Sequence, residues 1–396
     1  MSKNSIPQIR FKEFDRVWVE KRIADIVKIS AGGDVDKVKL KESGKYPVIA
    51  NALTNKGIVG FYNDYKVKAP AVTVTGRGDV GYAVARHENF TPIVRLLTLQ
   101  SENIDVDYLE NQINSMRILN ESTGVPQLTA PQLGNYKVYH PEIEEQSSIG
   151  SLFRTLDDLL ASYKDNLANY QSLKTTMLAK MFPKAGQTVP EIRLDGFEGE
   201  WEKVNLETST IRLKSFSLSR DVETKENTGM RYIHYGDIHT GRASYINNEN
   251  VLPYISQDLK ITEFLKKGDL IFADASEDYK GIAEVSLLAV DPKDNVIAGL
   301  HTIALRPNKN LYSTFLYYLF KTQTFRKYGY KVGTGMKVFG ISPTNLMKYE
   351  YYHPSLDEQQ AIGTYFSNLD SLITAHQEKI SQLEILKKKL LQDMFI

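Results

Sequence analysis

Cysteine is absent from all 396 residues. Disulfides and thiolate zinc sites are therefore excluded, and the absence suits a reducing compartment. Long hydrophobic runs are also missing. The most apolar stretch, Leu311 to Phe320, is far shorter than the ~20 residues a membrane-spanning helix needs. The opening residues MSKNSIPQIRFKEF have no apolar centre of signal-peptide length, so a cytoplasmic location with no membrane partner is expected. Charge of one sign is scarce: 49 Lys and Arg against 48 Asp and Glu leave +1. No GxxxxGK[ST] phosphate loop occurs, since Gly44-Lys45 lacks the earlier glycine. What remains is 42% hydrophobic and 24% charged, the make-up of an ordinary globular chain long enough for two or three domains.

Self-comparison supplies the first positive signal. Ile6-Pro7-Gln8-Ile9-Arg10-Phe11, followed by Phe14 and Trp18, returns as Val189-Pro190-Glu191-Ile192-Arg193-Leu194 with Phe197 and Trp201, shifted by 183. A longer match runs without a gap from His140-Pro141 to Met181-Phe182 and from His353-Pro354 to Met394-Phe395, shifted by 213. Over its 43 paired positions 15 are identical, too many for two unrelated amphipathic helices. The difference between the shifts assigns a net insertion of 30 residues to the second intervening block. Similar ends around divergent middles suggest one scaffold holding two different readers.

The longer match is helical. Ile149, Leu156, Tyr163, Tyr170 and Met177 recur every seven residues, as do Ile362, Leu369, His376, Leu383 and Leu390. Leu152, Leu159 and Leu173 in the first copy, and Tyr365, Leu372 and Leu386 in the second, are expected to complete the seam, with Phe153, Leu160, Leu167, Met181, Phe366, Ile373 and Ile380 widening the stripe. Five heptads without proline predict an antiparallel coiled-coil pair, with Asn166 and Lys379 as polar seam residues that fix register. Each helix would be roughly 58 Å long at 1.5 Å per residue. Two readers held by such a pair would address half-sites about one turn of DNA apart, ~34 Å. The fold class expected is α+β: two mixed domains in tandem, 1–143 and 183–356, each followed by a long helix, 144–182 and 357–396.

Charge is uneven along the chain. The helical segments 141–182 and 353–396 each carry 4 basic and 6 acidic residues, leaving the positive excess to the globular parts. Residues 295–349 hold no acid at all but eight bases: Arg306, Lys309, Lys321, Arg326, Lys327, Lys331, Lys337 and Lys348. Interleaved with Tyr312, Phe325, Tyr328, Tyr330 and Phe339, they form the local footprint expected for phosphate contacts. A solvated helix and loop is the competing reading. The first domain has a thinner set, Lys66, Lys68, Arg77, Arg86 and Arg95. Short strands are expected in 46–51, 71–85, 232–238 and 268–290, with helices near 105–119 and 312–328. Gly76, Gly78 and Gly81 mark a tight connection whose backbone can approach a ligand, with Arg77 and Asp79 projecting. Arginine there suits a bidentate contact to guanine. The corresponding turn of the second domain runs from Asp274 to Gly281, and glycine-containing loops follow at 122–129 and 333–342.

In this order, twice over, the features resemble the specificity subunit of type I restriction–modification systems. The carriers are the repeated PxIRF/L…W motif, Ala31-Gly32-Gly33, the Gly76-Arg77-Gly78 turn, the glycine-containing loops and the HP…EQ…IG…LD junction. The resemblance covers essentially the whole chain. It implies two target-recognition domains that read a split sequence in double-stranded DNA, and helices that separate them and dock two methyltransferase subunits. Motor–nuclease subunits would join in the full complex. The chain itself would bind no cofactor, with S-adenosylmethionine, ATP and Mg held by the partners. Candidate DNA contacts are Asn51, Lys68, Thr75, Arg77, Asp79, Ser276, Tyr279, Lys280, Arg326, Lys327, Lys331 and Lys337. The second domain has no clear AGG and no arginine at its turn, so Ser276, Tyr279 and Lys280 are assigned by position only.

Catalytic alternatives are weakly supported by the residues. No NPPY or DPPY amine-recognition motif occurs. Asp269, Asp274, Glu277 and Asp278 could hold Mg²⁺ in a metal-dependent DNA enzyme, although clustered carboxylates at a turn are more often solvated. His234 and His239, five apart in a strand-like segment, would face opposite sides. A coiled-coil adaptor without DNA function is the other alternative.

Overall fold

The computed structural model describes residues 6–118, 127–256, 261, 263–277, 281–335 and 339–396. By internal contacts it divides into two units, Met1–Asn166 with His376–Ile396, and Leu167–Ala375. Neither unit coincides with a simple half of the chain. Each takes the first part of one long helix, Ile143–Lys180 or Leu356–Asp393, and the last part of the other. No described helix is long and apolar enough to cross a membrane.

The first unit is built on a four-stranded antiparallel sheet in the order Lys28–Ala31, Leu97–Gln100, Ala71–Val74, Ala83–Arg86. The strand Ala71–Val74 is buried at every residue, and its one polar side chain, Thr73, donates to the Val84 carbonyl at 3.3 Å. A second sheet orders Ile58–Tyr62, Tyr46–Ile49 and Thr91–Pro92. The second unit repeats the plan. Leu270–Ala273 and Thr302–Pro307 lie inside a five-stranded sheet, and Met230–Ile233 pairs in parallel with Asn295–Ala298 as Tyr46–Ile49 does with Thr91–Pro92. The expected strand over 232–238 ends early. Tyr235–His239 is a short helix capped by His234, whose Nδ1 accepts the Gly236 N–H at 3.1 Å.

The repeated motifs meet in one clamp per unit. Arg10 donates twice to the buried Glu145, both contacts at 2.6 Å, and the Trp18 indole adds a third at 3.2 Å. Arg193 grips Glu358 in the same way at 2.7 and 2.6 Å. Gln146 and Gln359 each donate to the carbonyl of the proline at the helix junction, Pro141 at 2.9 Å and Pro354 at 3.0 Å. The glycine of each IG pair allows close approach. A Cβ on Gly150 would stand 2.9 Å from the Tyr108 nitrogen, and one on Gly363 would stand 3.2 Å from the Phe315 nitrogen. The Met-Phe ends close the clamps. Phe395 packs on Tyr108 and Phe153 in the first unit, and Phe182 packs on Trp201, Phe315 and Phe366 in the second.

Within each unit the helical stretches run antiparallel. Lys387 reaches Asp157 in the first unit, and its repeat equivalent Lys174 reaches Asp370 in the second. Leu156, Leu160 and Leu383 form a buried cluster with Tyr163, Ile380 and Leu390 against it. Ile149, Leu156, Ile362, Leu369 and Leu383 are buried, while Tyr163, Tyr170, Met177, His376 and Leu390 are half-buried, as their heptad spacing predicts. The expected seam partners hold only in part: Leu152 and Tyr365 are half-buried, and the residues expected to widen the stripe supply the second seam position. The second seam position falls four residues on, at Phe153, Leu160, Leu167 and Lys174, and at Phe366, Ile373, Ile380 and Lys387. Leu159, Leu173, Leu372 and Leu386 are 42, 38, 44 and 44% exposed, so they sit on the rim. Asn166 and Lys379 share that rim and are exposed, which removes them from the seam and from the register role. Spacing alone places a residue on a helical face only to within one step of 100°, and the packing partner decides which flank is covered.

A cavity of 730 Å³ in the first unit is lined by Glu110, Asp157, Lys387 and neighbours from the Val106–Ser115 helix. Burial, followed by the Asp157 charge, pushes Glu110 up to about 7, with Lys387 opposing. The raised value means that Glu110 contributes most to stability below its ordinary range near 4.5 and loses that contribution as pH rises through 7. Glu110→Gln is therefore expected to flatten the fall in melting temperature of the parent between pH 5 and 8. Parallel profiles for parent and variant would contradict this.

Candidate nucleic-acid interface

The turn after Ala71–Val74 is held from inside. Thr75 accepts the Tyr82 N–H on its hydroxyl at 2.9 Å and donates to the Asp79 carbonyl, while the Gly81 N–H closes on the Thr75 carbonyl at 2.8 Å. Gly78 and Gly81 take φ of +72° and +90°, the left-handed region that this tight path requires. Asn51 ties two loops together, its carbonyl accepting the Gly76 N–H at 2.7 Å and its amide donating to the Val94 carbonyl at 2.6 Å. Asn51 and Thr75, expected as DNA contacts, thus have their polar atoms engaged with the backbone of the frame. Asp79 and Lys68 are exposed, and Arg77 is half-buried. The Arg77 side chain has no hydrogen bond or ion pair among the described residues, and its backbone bridges Gln127. Arg86 departs from expectation. It is buried, donates to the Thr73 hydroxyl at 3.0 Å and the Lys56 carbonyl at 2.7 Å, and burial lowers it to about 10.

Strand register aligns the second domain with the first. Leu128 N–H donates to the Gly76 carbonyl and Ile341 N–H donates to the Asp274 carbonyl, at 2.9 and 2.8 Å. Arg77 bridges Gln127 where Ala275 pairs with Gly340. The position of Arg77 is therefore occupied by a buried alanine, which confirms in structure that this arginine has no counterpart. Ser276, assigned by position, is buried in the short ladder with Phe339. Tyr279, Lys280, Lys337 and Asp278 lie outside the described residues.

The acid-free window of 295–349 folds against acids from elsewhere. Arg326 is buried and paired with Glu284 at 3.3 Å, so it is no surface phosphate contact. Lys321 also binds Glu284 and donates to the Val285 carbonyl at 3.2 Å. Arg306 grips Asp269 at 2.8 and 2.6 Å. Burial alone would raise Glu284, but Lys321 and Arg326 outweigh it and hold the carboxyl below its ordinary value. Asp269 is raised by burial despite Arg306. Lys327 and Lys331 stay exposed on one face of the helix Gln323–Val332, with Lys309 and Lys348 also exposed.

Asp269 is thus a structural partner of Arg306, and Asp274 contacts His301 at 3.1 Å. Among the described residues no group of three or more His, Asp or Glu is placed to hold a metal. His234 and His239 instead flank Tyr235, with ring centroids 4.5 and 5.9 Å away, and His301 meets its edge at 5.3 Å. This cluster borders an open cavity of 880 Å³ lined by Arg220, Tyr235, His239, Ser276 and Glu277. Sequence reading missed Tyr235 and His301. The available signal was the alignment of PIVRLLTL (92–99) with AGLHTIAL (298–305), which is too diverged to see without the strand register.

Residues 16–170 and 199–385 match the family described as the type I restriction modification DNA specificity domain. The specificity subunit of the type I restriction enzyme MjaVIII of Methanocaldococcus jannaschii is 21% identical over 94% of this chain and 91% of its own. A putative type I specificity subunit of Mycoplasma pneumoniae, S.MpnORF507P, is 27% identical over 35% of this chain and 39% of its own. The crystal structure of a type I restriction–modification S subunit from M. genitalium covers 99% of both chains at a TM-score of 0.67 and 15% identity, a likeness of fold.

Proposed function

The chain belongs to the type I restriction–modification DNA specificity family, and from that premise we propose that it reads a bipartite DNA target and docks the subunits that modify and cut it. Family membership makes it a non-catalytic subunit with a role in DNA sequence specificity, catalysis lying in partner subunits. In the proposal, 1–143 and 183–356 are the two target-recognition domains, and 144–182 and 357–396 are the spacer helices. Two methyltransferase subunits bind along the helices, where Leu159, Leu173, Leu372 and Leu386 stand exposed at equivalent positions in the two copies. Motor–nuclease subunits complete the assembly, and S-adenosylmethionine, ATP and Mg belong to those partners.

The observation that carries the reading is the duplication itself. One clamp and one strand plan occur twice, with different side chains at the equivalent turn, Arg77 and Ala275. Mapping methylated adenines genome-wide with and without the gene tests it. A split motif that disappears with the gene is the expected result, and an unchanged methylome would refute the reading. Arg77→Ala is expected to relax or weaken recognition of one half-site, by roughly tenfold or more for a lost bidentate base contact, while the complex with its partners still forms. Failure of that complex to assemble would overturn the role given to Arg77.

A further inference from the structure

One pair of residues is repeated in conformation but not in chemistry. In the first unit Thr91–Pro92 runs parallel to Tyr46–Ile49, and the next residue, Ile93, donates its N–H to the Ile49 carbonyl at 2.9 Å. In the second unit Asn295–Ala298 runs parallel to Met230–Ile233, and Gly299 donates to the Ile233 carbonyl, also at 2.9 Å. Both chains then turn into a central strand. Leu97 pairs with Val74 in one sheet and Ile303 pairs with Phe272 in the other. Counting between these anchors aligns Arg95 with His301, with no gap on either side.

Both residues are exposed and both are left-handed, with φ of 60° at Arg95 and 53° at His301. An arginine or histidine is strained there, whereas glycine would follow the same path freely. Strain of this kind, kept twice at one place in the fold, points to a use for the side chain. Each residue also adjoins the turn of its domain. The Arg95 carbonyl lies 3.1 Å from where a Cβ on Gly76 would be, and the His301 carbonyl accepts the Asp274 N–H at 3.0 Å. The Arg95 guanidinium has no hydrogen bond or ion pair among the described residues. His301 is oriented by Asp274 through Nδ1, 3.1 Å away, which leaves Nε2 as the other ring nitrogen of an exposed side chain.

We propose that Arg95 and His301 are equivalent specificity-determining side chains, one in each domain, each reading a base edge at the corresponding place of its half-site. The inference rests on the specificity reading above. Arginine can only donate, which suits the paired acceptors of guanine. An imidazole steered through Nδ1 offers a single ring nitrogen, so the second domain reads a different pattern from the same place. This accounts for how the second domain discriminates although Ala275 stands where the first has Arg77.

The test is binding of the assembled complex to its target and to a panel with each base pair changed in turn. Arg95→Gly and His301→Gly keep the left-handed backbone without strain, so both are expected to fold with melting temperatures no lower than the parent. Arg95→Gly should lose at least tenfold of the discrimination at one position of one half-site, and His301→Gly the same in the other half-site. The exchanges R95H and H301R should alter the preferred base at those positions rather than abolish preference. Unchanged profiles for the glycine variants, on a parent that discriminates, would overturn this inference alone. A parent complex without any discrimination would overturn the specificity reading and this inference together.

Discussion

Glu145→Ala is expected to destabilise the first unit by about 3 kcal/mol, and Glu358→Ala the second by a similar amount. Each carboxylate is fully or almost fully buried, 0 and 1% exposed, and each holds an arginine by two hydrogen bonds. Truncation leaves that arginine beside a cavity and, in the first unit, strands the buried Trp18 indole N–H. Arg10 and Arg193 keep some access to water, 11 and 19%, which sets the expected loss at the lower end of what broken buried pairs cost. For domains of this size the loss corresponds to a fall of roughly 6–12 °C in melting temperature. Thermal unfolding of the two variants checks it, and a shift below about 2 °C in both would show that the clamp does not hold the helices to the domains. Methylation specificity of whatever folds should be unchanged, because the clamp shares no residue with the candidate interface.

Adding one heptad to both long helices is expected to change the number of base pairs between the half-sites while leaving both half-site sequences intact. This follows from the proposal that the helices set the spacer. Seven residues add about 10 Å to a helix at 1.5 Å per residue, which is about three base pairs at ~3.4 Å each. The insertion must be made in both copies, since lengthening one would break the register in which Lys387 meets Asp157 and Lys174 meets Asp370. A whole heptad returns the seam to the same face. The readout is the methylated motif of cells carrying the variant. An unchanged spacer with intact methylation would refute the ruler.

Legibility in the sequence followed the range of the forces involved. The long helices were visible because seven-residue periodicity is local, and Ile149, Leu156, Ile362 and Leu369 are buried as that periodicity requires. Their flanks were misread at Leu159, Leu173, Asn166 and Lys379, because a partner stretch from the far end of the chain chooses which side of the stripe is covered. The charge footprint shrank for a related reason, leaving Lys309, Lys327, Lys331 and Lys348 exposed. Residues 295–349 contain no acid, yet Arg306, Lys321 and Arg326 are neutralised by Asp269 and Glu284, which precede the window in sequence and meet it in the sheet. Asn51 and Thr75 are expected as DNA contacts from the sequence, but their engagement with backbone groups depends on loops brought together across the fold.

By itself, then, the sequence determined the duplication, its two shifts, the helices and the family. These rest on identities between copies and on periodicity, both readable along one dimension. Only the tertiary structure decided what each repeated motif does. It made the PxIR and EQ…IG motifs two halves of one buried clamp, gave each compact unit parts of both helices, and withdrew Arg86 and Arg326 from the surface. It also aligned Arg95 with His301. The physical reason is that burial, ion pairing and a left-handed backbone arise from residues distant in sequence and adjacent in space.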